Sequence, residues 1–161
     1  MQLNNIKRVY FVGIGGIGMS ALARYFKYLG AEVSGYDRTR TALTQQLEQE
    51  GMIIHYEDSV ALINRQADIV IYTPAIPKHH QELNYFIDHQ YPLYKRSEVL
   101  GMISRERFTI AVSGSHGKTT VSGMITWILK DSGYDCTAFL GGICTNFHSN
   151  LSGADAFTIG T

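Results

Sequence analysis

Two glycine-rich segments of this chain have the composition of phosphate-binding loops. They are Gly13-Ile14-Gly15-Gly16-Ile17-Gly18 and Gly114-Ser115-His116-Gly117-Lys118-Thr119-Thr120. Each segment follows a short apolar run and precedes a helical pattern, so that backbone N–H groups and the positive end of a helix dipole can face an anion. Two different loops of this kind in one chain predict two phosphorylated ligands.

The first segment has the Gly-x-Gly-x-x-Gly spacing of a pyrophosphate loop. Its first glycine permits a tight turn, the second lets a phosphate approach the backbone, and the third lets the helix pack against the strand. Asp37 ends the next predicted strand, where a carboxylate can accept hydrogen bonds from ribose hydroxyls; the alternative for Asp37 is a helix N-cap. The loop does not distinguish a dinucleotide from a UDP-sugar, because both present a pyrophosphate.

The second segment departs from the usual P-loop, because Val112 stands where the first glycine of that pattern is expected. The remaining residues keep the chemistry: backbone N–H groups from 114 to 118 can surround a phosphate. Lys118 can reach the β- and γ-phosphates of a nucleotide, and Thr119 can offer its hydroxyl to Mg²⁺. His116 has two open interpretations, a contact in the phosphate site or a side chain that only fills the loop.

The elements that must position these loops alternate between strand and helix, which predicts a parallel sheet with helices on both faces. This pattern predicts a Rossmann-like domain over residues 1–104. Its predicted strands are 9–12, 32–36, 52–55, 69–72 and 91–94, and its predicted helices are 17–29, 41–49, 60–64, 81–89 and 97–104.

The pattern then restarts, with predicted strands at 109–112 and 137–140 around a helix at 119–130. We therefore expect residues 105–161 to be the first part of a P-loop ATPase domain whose remainder lies outside this sequence. The chain after Leu140 is expected to be too short to complete a sheet around the loop.

The composition excludes several classes of function. Lys plus Arg and Asp plus Glu are each 14, so the formal net charge is zero and favours neither nucleic-acid nor membrane binding. No apolar run is long enough to span a bilayer, and the N-terminus lacks a secretory signal. Cys136 and Cys144 have no partner at metal spacing and are expected to be reduced structural thiols, which predicts a cytoplasmic protein.

Other candidate binding residues lie at strand ends. Thr73, Ala75 and Ile76 follow the strand at 69–72, at the edge where parallel sheets bind ligands; the alternative is a proline-stiffened turn. Arg96 is either a partner for a phosphate or carboxylate or a surface arginine. The pair His79–His80 has no further ligand at metal spacing and is expected to be solvated.

The two loops, in this order and at this spacing, resemble the Mur ligase family of peptidoglycan synthesis, and the resemblance covers residues 6 to 150. The histidine within the second loop is similar to the branch that acts on UDP-N-acetylmuramate itself. The other segments that match this branch are 11–20, Ser34-Gly35-Tyr36-Asp37, Tyr72-Thr73-Pro74-Ala75-Ile76-Pro77 and Lys95-Arg96-Ser97-Glu98-Val99-Leu100.

The resemblance implies an ATP-dependent ligase that joins L-alanine to UDP-N-acetylmuramate through an acyl phosphate, with ATP and Mg²⁺ as cofactors. It implies that Lys118 is catalytic and that Thr119 binds the metal. The implied ATP site is Gly114, Ser115, His116, Gly117, Lys118, Thr119 and Thr120. The implied UDP site is Gly15, Gly16, Ile17, Gly18, Asp37, Thr73, Ala75, Ile76 and Arg96.

Three alternatives to this function stay open. A related ligase attaches a whole tripeptide to the same UDP-sugar, although the pair Gly15-Gly16 favours the alanine branch. The first loop with Asp37 also permits an NAD-binding protein, against which the second loop argues. A noncatalytic module that binds a UDP-sugar is the third. The acidic Mg²⁺ motif and the C-terminal domain of the family lie outside this sequence, so we do not expect the chain alone to catalyse ligation.

Overall fold

The central strand of the first sheet, β1 (Arg8–Val12), is buried because it lies between two parallel neighbours. In the computed structural model, which describes residues 3–105, 107–144, 149–152 and 157–160, β1 pairs with β2 (Glu32–Tyr36) and with β4 (Ile69–Tyr72). Its residues Val9 to Val12 are at most 1% exposed. Such a strand has apolar side chains on both faces, which explains its continuous hydrophobic run.

The chain divides into two compact units, Met1–Val99 and Leu100–Thr161. The first unit contains a five-stranded parallel sheet in the order β3-β2-β1-β4-β5, so the predicted α/β fold with a parallel sheet is confirmed. Its remaining elements are a 3₁₀ turn (Leu3–Asn5), α1 (Ile17–Tyr28), α2 (Ala42–Gln49), β3 (Ile53–His55), α3 (Gln81–Asp88), β5 (Leu93–Lys95) and α4 (Arg96–Arg105), in which the division between the units falls.

Helices cover both faces of this sheet, as the side chains of β1 demonstrate. Tyr10 packs against Phe86 of α3, with ring centroids 5.0 Å apart. The next residue, Phe11, points to the opposite face and packs against Phe26 of α1 at 6.4 Å. Because successive side chains of a strand alternate between faces, α1 and α3 lie on opposite sides of the sheet.

The predicted helix at 60–64 is wrong, because this connection consists of turns. The Ser59 carbonyl accepts a hydrogen bond from the Leu62 N–H, and the Asn64 side chain accepts one from the Gln66 N–H. An asparagine side chain that bonds the backbone two residues further on competes with helix formation. The apolar Ile63, which suggested a helix, instead packs into the cluster around Tyr10 and Phe86.

The second unit has a four-stranded sheet in the order β6-β9-β7-β8. Strands β6, β9 and β7 are parallel, and β8 is antiparallel to β7. The expectation that the chain after Leu140 cannot form such a sheet is wrong, since β9 pairs with both β6 and β7. Two four-residue strands carry too few alternating positions to stand out in a sequence. The elements are β6 (Phe108–Ala111), α5 (Lys118–Asp131), β7 (Thr137–Cys144), β8 (Ser149–Ser152) and β9 (Phe157–Gly160).

Cys136 lies in the core of this second unit. It is fully buried and free, packed with Ala138 and Leu140, and burial raises the pKa of its thiol. Cys136 is thus a core residue, as a structural role requires, and its reduced state stays a prediction; the side chain of Cys144 lies outside the described part. Within the described ranges no helix is long and apolar enough to cross a lipid bilayer.

Gly35 in β2 sets how closely β2 can approach β1. A Cβ atom at this position would lie 2.5 Å from the carbonyl oxygen of Phe11, which cannot move without breaking the β1–β2 ladder. We expect Gly35→Ala to lower the free energy of unfolding by about 2–4 kcal/mol, measured by urea denaturation.

Gly101→Ala is the matched control, because nothing lies within 4 Å of a Cβ atom at this position in α4. It should leave stability unchanged or raise it by up to about 1 kcal/mol. Equal stability of the two variants would contradict the close approach at Gly35.

Candidate functional site

The strand order places a topological switch point between β1 and β4. The chain proceeds from β1 to β2 and β3 on one side, and then returns to β4 and β5 on the other. Crevices at such points, outside the carboxyl ends of the strands, are the usual ligand sites of open parallel sheets. A cavity of about 630 Å³ opens here, a volume typical of small-molecule sites. It is lined by Gly13, Gly16, Tyr36, Asp37, Arg38, Asp58, Thr73, Ala75, Ile76, Pro77, His79 and His80.

The first glycine loop is fixed to the end of β2 by its backbone. The N–H groups of Gly13 and Ile14 both donate to the Tyr36 carbonyl, at 2.8 and 3.0 Å. Gly13 has φ +89°, a conformation that favours glycine. A Cβ atom there would also lie 3.1 Å from Thr73 and 3.2 Å from Ile76, so the turn after β1 and the loop after β4 are in close contact.

Asp37 binds the loop directly. Its Oδ2 accepts a hydrogen bond from the Gly15 N–H at 2.7 Å, and its Oδ1 accepts one from the Thr39 N–H at 3.1 Å. The alternative of a helix N-cap is wrong for Asp37, because Thr41 caps α2 through a hydrogen bond from the Thr44 N–H. Asp37 also lines the cavity, where its ribose contact stays a prediction.

Arg96 lies over the start of α1. A Cβ atom built on Gly18 would be 2.6 Å from Arg96 Nη1 and 3.1 Å from its Cζ, so the guanidinium lies directly against the third glycine of the loop. No carboxylate of the described residues pairs with Arg96. A partly buried cation at a helix N-terminus is placed to bind an anion that the helix itself also attracts.

The helices that follow the two glycine loops begin without a side-chain cap. α1 starts after Gly16 and α5 after Gly117, and neither glycine can provide a capping oxygen. By contrast, Thr41 caps α2 and His80 caps α3. Since the first N–H groups of a helix have no partner within the helix, both glycine loops leave backbone donors for an anion.

His80 is buried in the cavity wall, so the prediction that it is solvated is wrong; His79 is exposed, as expected. The His80 Nδ1 accepts a hydrogen bond from the Leu83 N–H and lies 3.2 Å from Asp58 Oδ1. Burial lowers the pKa of His80, and the nearby Asp58 carboxylate opposes this effect. The ring was missed because a capping histidine has no distinctive sequence pattern.

Asp58 fixes the start of α3 next to this ring. Its two carboxylate oxygens accept hydrogen bonds from the backbone N–H groups of Gln81 and Glu82, at 2.9 and 3.1 Å. A carboxylate in this place stabilises a helix N-terminus. Asp58, Tyr36 and Arg38 were not among the predicted site residues. All three end or follow β2 or β3, so applying the strand-end argument to every strand would have found them.

In the second loop, the Lys118 ammonium folds back over the backbone. Its Nζ donates to the carbonyl oxygens of Gly114 and Ser115. Gly114 and Gly117 have φ +155° and +78°, and these values bend the chain between β6 and α5. The predicted loop residues Ser115, His116, Thr119 and Thr120 are exposed.

The described residues offer only part of a metal site. No group of three or more His, Cys, Asp or Glu side chains that could hold a metal occurs within them. The Thr119 hydroxyl lies in the first turn of α5, and the nearest atom to a Cβ built on Gly142 of β7 is the Thr119 methyl, at 3.6 Å. One hydroxyl at a helix N-terminus fits an Mg²⁺ whose other ligands include phosphate oxygens.

The structure thus brings most of the predicted UDP-site residues together. Gly16, Asp37, Thr73, Ala75 and Ile76 line the cavity. Gly15 is held by Asp37, Ile17 begins α1, and Gly18 lies under Arg96.

Comparison with known proteins identifies relatives of the whole chain. Residues 8–108 match the model of the Mur ligase family, catalytic domain. A protein of Flavobacterium psychrophilum named UDP-N-acetylmuramate–L-alanine ligase is 54% identical over 158 residues, 96% of this chain and 35% of the relative. A protein of the same name from Cytophaga hutchinsonii is 52% identical over 156 residues, 94% of this chain and 34% of the relative. The chain thus spans about a third of the length of the curated relatives it matches.

Solved structures agree with these relatives. The UDP-N-acetylmuramate-alanine ligase of Thermotoga maritima has a TM-score of 0.87 and 31% identity, covering 97% of this chain and 37% of its own. A ligase from Neisseria meningitides that acts on UDP-N-acetylmuramate and a tripeptide has a TM-score of 0.87 at 24% identity, covering 96% of this chain and 52% of its own. The second likeness supports the fold alone.

Gly15 and Gly16 should tolerate a side chain very differently. A Cβ atom on Gly15 would lie 2.6 Å from Thr44 and 2.8 Å from Asp37 Oδ2, whereas one on Gly16 meets nothing closer than 3.6 Å. We expect Gly15→Ala to destabilise the first unit by about 1–3 kcal/mol, and Gly16→Ala by less than about 1 kcal/mol. Thermal unfolding of both variants measures this, and the reverse order would contradict the loop geometry.

Proposed function

The chain belongs to the Mur ligase family, and from that premise we propose that it is the substrate-binding and phosphate-loop portion of an ATP-dependent ligase that joins L-alanine to UDP-N-acetylmuramate. The observation that carries the proposal is the glycine loop at the switch-point cavity, with the Arg96 guanidinium against Gly18. Eight relatives that are 46–54% identical carry the alanine ligase name. As part of this proposal the protein acts in the cytoplasm, where ATP is available.

The first unit binds the UDP moiety. The pyrophosphate lies against Gly15, Gly16, Ile17 and Gly18 at the N-terminus of α1, where the first turn of the helix attracts an anion and Arg96 supplies a positive charge. Nucleoside and sugar occupy the cavity between Asp37 and the segment from Thr73 through Ala75 to Ile76. Because the loop is already fixed before the ligand binds, less conformational entropy is lost on binding.

The second unit binds ATP through residues 114–120. The uncapped first turn of α5 attracts the phosphates, and Lys118 exchanges its two backbone carbonyl partners for phosphate oxygens. The Thr119 hydroxyl would be a ligand of Mg²⁺. When bound, the ion would supply positive charge that neutralises the phosphates of ATP.

The reaction couples two substitutions. The lactyl carboxylate of UDP-N-acetylmuramate attacks the γ-phosphorus of ATP, which releases ADP and forms an acyl phosphate. The amine of L-alanine then attacks the acyl carbon, an amide forms, and inorganic phosphate leaves with the loss of a proton from the amine. Lys118 acts on the first step as a positive charge near the transferring phosphoryl group.

The tripeptide ligase is the nearest alternative, and it differs only in the amine that attacks. The Gly15-Gly16 pair and the names of the most similar relatives favour L-alanine. A binding module for NAD or a UDP-sugar would need the first loop alone and would leave the second loop without a purpose.

We expect this chain to bind UDP-N-acetylmuramate and not NAD⁺. The test is isothermal titration of the 161-residue chain with each ligand. Arg96→Ala should weaken binding of the UDP-sugar by about ten-fold or more, because one charge-assisted contact to the pyrophosphate is removed.

Arg65→Ala is the matched control, since Arg65 is an exposed arginine that stacks on Tyr85 and does not line the cavity. The affinity of the Arg65→Ala variant for UDP-N-acetylmuramate should equal that of the unmodified chain. Binding of NAD⁺ without a signal for the UDP-sugar would refute the proposed substrate.

The second loop is tested in a chimera in which residues 1–161 replace the corresponding part of the Flavobacterium psychrophilum relative. We expect it to form the L-alanine adduct, with little activity on the tripeptide. Lys118→Ala should lower the ligation rate about a hundredfold or more and leave UDP-N-acetylmuramate affinity within about two-fold.

Lys130→Ala serves as the control, because Lys130 lies in the last turn of the same helix. Its turnover should stay close to that of the unmodified chimera. Near-normal turnover of the Lys118→Ala chimera would show that the second loop does not act on the transferring phosphate.

A further inference from the structure

We propose that Glu82, Tyr10 and His55 form a buried relay that holds one shared proton, and that this relay positions the Asp58 side of the cavity wall. The first part concerns the side chains alone. The second part rests on the proposed function, since it predicts that the binding of an anionic nucleotide-sugar depends on the relay.

The three side chains come from three different elements and meet under the cavity. The Tyr10 hydroxyl of β1 lies 2.7 Å from Glu82 Oε2 of α3 and 2.7 Å from His55 Nε2 of β3. The opposite ring nitrogen, Nδ1, lies 2.9 Å from the backbone carbonyl oxygen of Glu57. Tyr10 and Glu82 are both 0% exposed and the His55 side chain is 16% exposed, so water does not replace the contact between Tyr10 and Glu82.

The hydrogen-bond pattern requires one proton beyond an ionised Glu82 and a neutral His55. A carbonyl oxygen only accepts, so His55 Nδ1 must donate to Glu57. If the Tyr10 hydroxyl donates to Glu82, its oxygen accepts from His55 Nε2, and the ring is an imidazolium. If the hydroxyl donates to Nε2 instead, Glu82 must carry a hydrogen in order to donate to Tyr10.

Both arrangements contain the same number of protons and differ by transfer along the chain of hydrogen bonds. Burial supports the arrangement with a neutral carboxyl group. Burial raises the pKa of Glu82 to about 7, and burial also lowers the pKa of His55. Because the two groups share Tyr10, the proton belongs to the pair and not to either residue.

The relay connects to the cavity through the connection after β3. Glu82 Oε1 accepts a hydrogen bond from the Ser59 N–H at 3.1 Å, and the preceding residue, Asp58, lines the cavity and approaches His80. Through its hydrogen bond with Ser59, Glu82 therefore fixes the position of Asp58 in the cavity wall. The other titratable or charged groups that face the relay are Tyr36 of β2, Glu57 and Asp58 of the connection, and His79 and His80 at the start of α3.

Loss of the shared proton should make the position of Asp58 in the cavity wall less well fixed. Glu82 would then be a buried carboxylate next to the Asp58 carboxylate, with Tyr10 able to donate to only one of its two partners. Repulsion between the two carboxylates pushes Asp58 away from Glu82, and the lost Tyr10 hydrogen bond loosens the contact of β1 with either β3 or α3. An added negative charge also opposes an anionic ligand. Affinity should therefore fall as the pH rises through about 7, the pKa to which burial raises Glu82.

The proton itself is observed by NMR of the whole chain at pH 6, through the ¹³Cδ shift of Glu82 and the ¹⁵N shifts of the His55 ring. The expected result is one proton in the pair: a neutral carboxyl with a neutral ring, or a carboxylate with an imidazolium. A carboxylate with a neutral ring, or a neutral carboxyl with an imidazolium, overturns the proposal. This measurement needs no variant and no ligand.

Tyr10→Phe keeps the ring that packs on Phe86 and removes the bridging hydroxyl. In the unmodified chain, the Glu82 and His55 signals should change with a common midpoint as the pH is raised. In Tyr10→Phe they should change with two separate midpoints. A common midpoint in this variant, or separate midpoints in the unmodified chain, contradicts proton sharing through Tyr10; a purely structural role would leave these midpoints alone.

The link to binding is measured by titrating UDP-N-acetylmuramate at pH 6.0 and pH 8.5. We expect the affinity of the unmodified chain to fall about five-fold or more over this range. Glu82→Gln carries no titrating proton, and its amide can still donate to Tyr10 and accept from Ser59. Between these two pH values, the fold-change in affinity of this variant should therefore be smaller than that of the unmodified chain by a factor of about three or more. Any remaining pH dependence comes from other groups such as His80.

Asp88→Asn is the control for charge, because the Asp88 side chain is exposed at the end of α3 and does not line the cavity. Its pH profile should match the unmodified chain. Equal pH profiles for Glu82→Gln and the unmodified chain refute the positioning role. Absence of UDP-N-acetylmuramate binding at both pH values refutes the proposed function and with it the positioning role, while the NMR result decides the proton sharing separately.

Discussion

The carbonyl group of Tyr36 is the constraint on which the first unit depends. It accepts the N–H groups of Gly13 and Ile14, so the chain leaving β1 must turn towards the end of β2 before α1 can begin. This turn fixes the position of the α1 N-terminus. It therefore also fixes the position of the cavity and of Gly18, against which Arg96 lies. The contact is possible because Gly35, one residue earlier, lets β2 lie close to β1.

The sequence was most informative where a residue's role depends on its own strand or loop. Strand β1, its glycine loop and the second loop, which begins at Gly114, were predictable, because burial on both faces and backbone conformation impose narrow requirements on residue type. The burial of His80 and the contact between Asp37 and Gly15 depend on residues distant in sequence, and no periodic pattern encodes them. Strands β8 and β9 escaped prediction for a related reason, since pairing within the sheet stabilises them more than their own composition does.

The two glycine loops use different sources of positive charge. Lys118 belongs to its own loop and contacts the carbonyl oxygens of that loop, so its flexible ammonium can move with a phosphate group that is transferred. Arg96 comes from a helix far along the chain and presents a planar guanidinium to Gly18. A planar group with fixed donors suits a pyrophosphate that remains bound and is not transferred. The difference in side chain thus fits the proposed division of roles, in which Arg96 holds a substrate and Lys118 acts on a reacting group.

The buried polar side chains beside the cavity are better explained by positioning than by stability. A buried Glu82 loses its hydration, and an apolar side chain of similar volume would avoid that loss. An apolar side chain would not, however, accept the Ser59 N–H or bond to Tyr10. Asp58, which Glu82 holds through Ser59, already caps α3 with both of its oxygens. A network in which each member is bonded to several elements restricts the wall to one arrangement, and a wall that is already in place loses less entropy when a ligand binds.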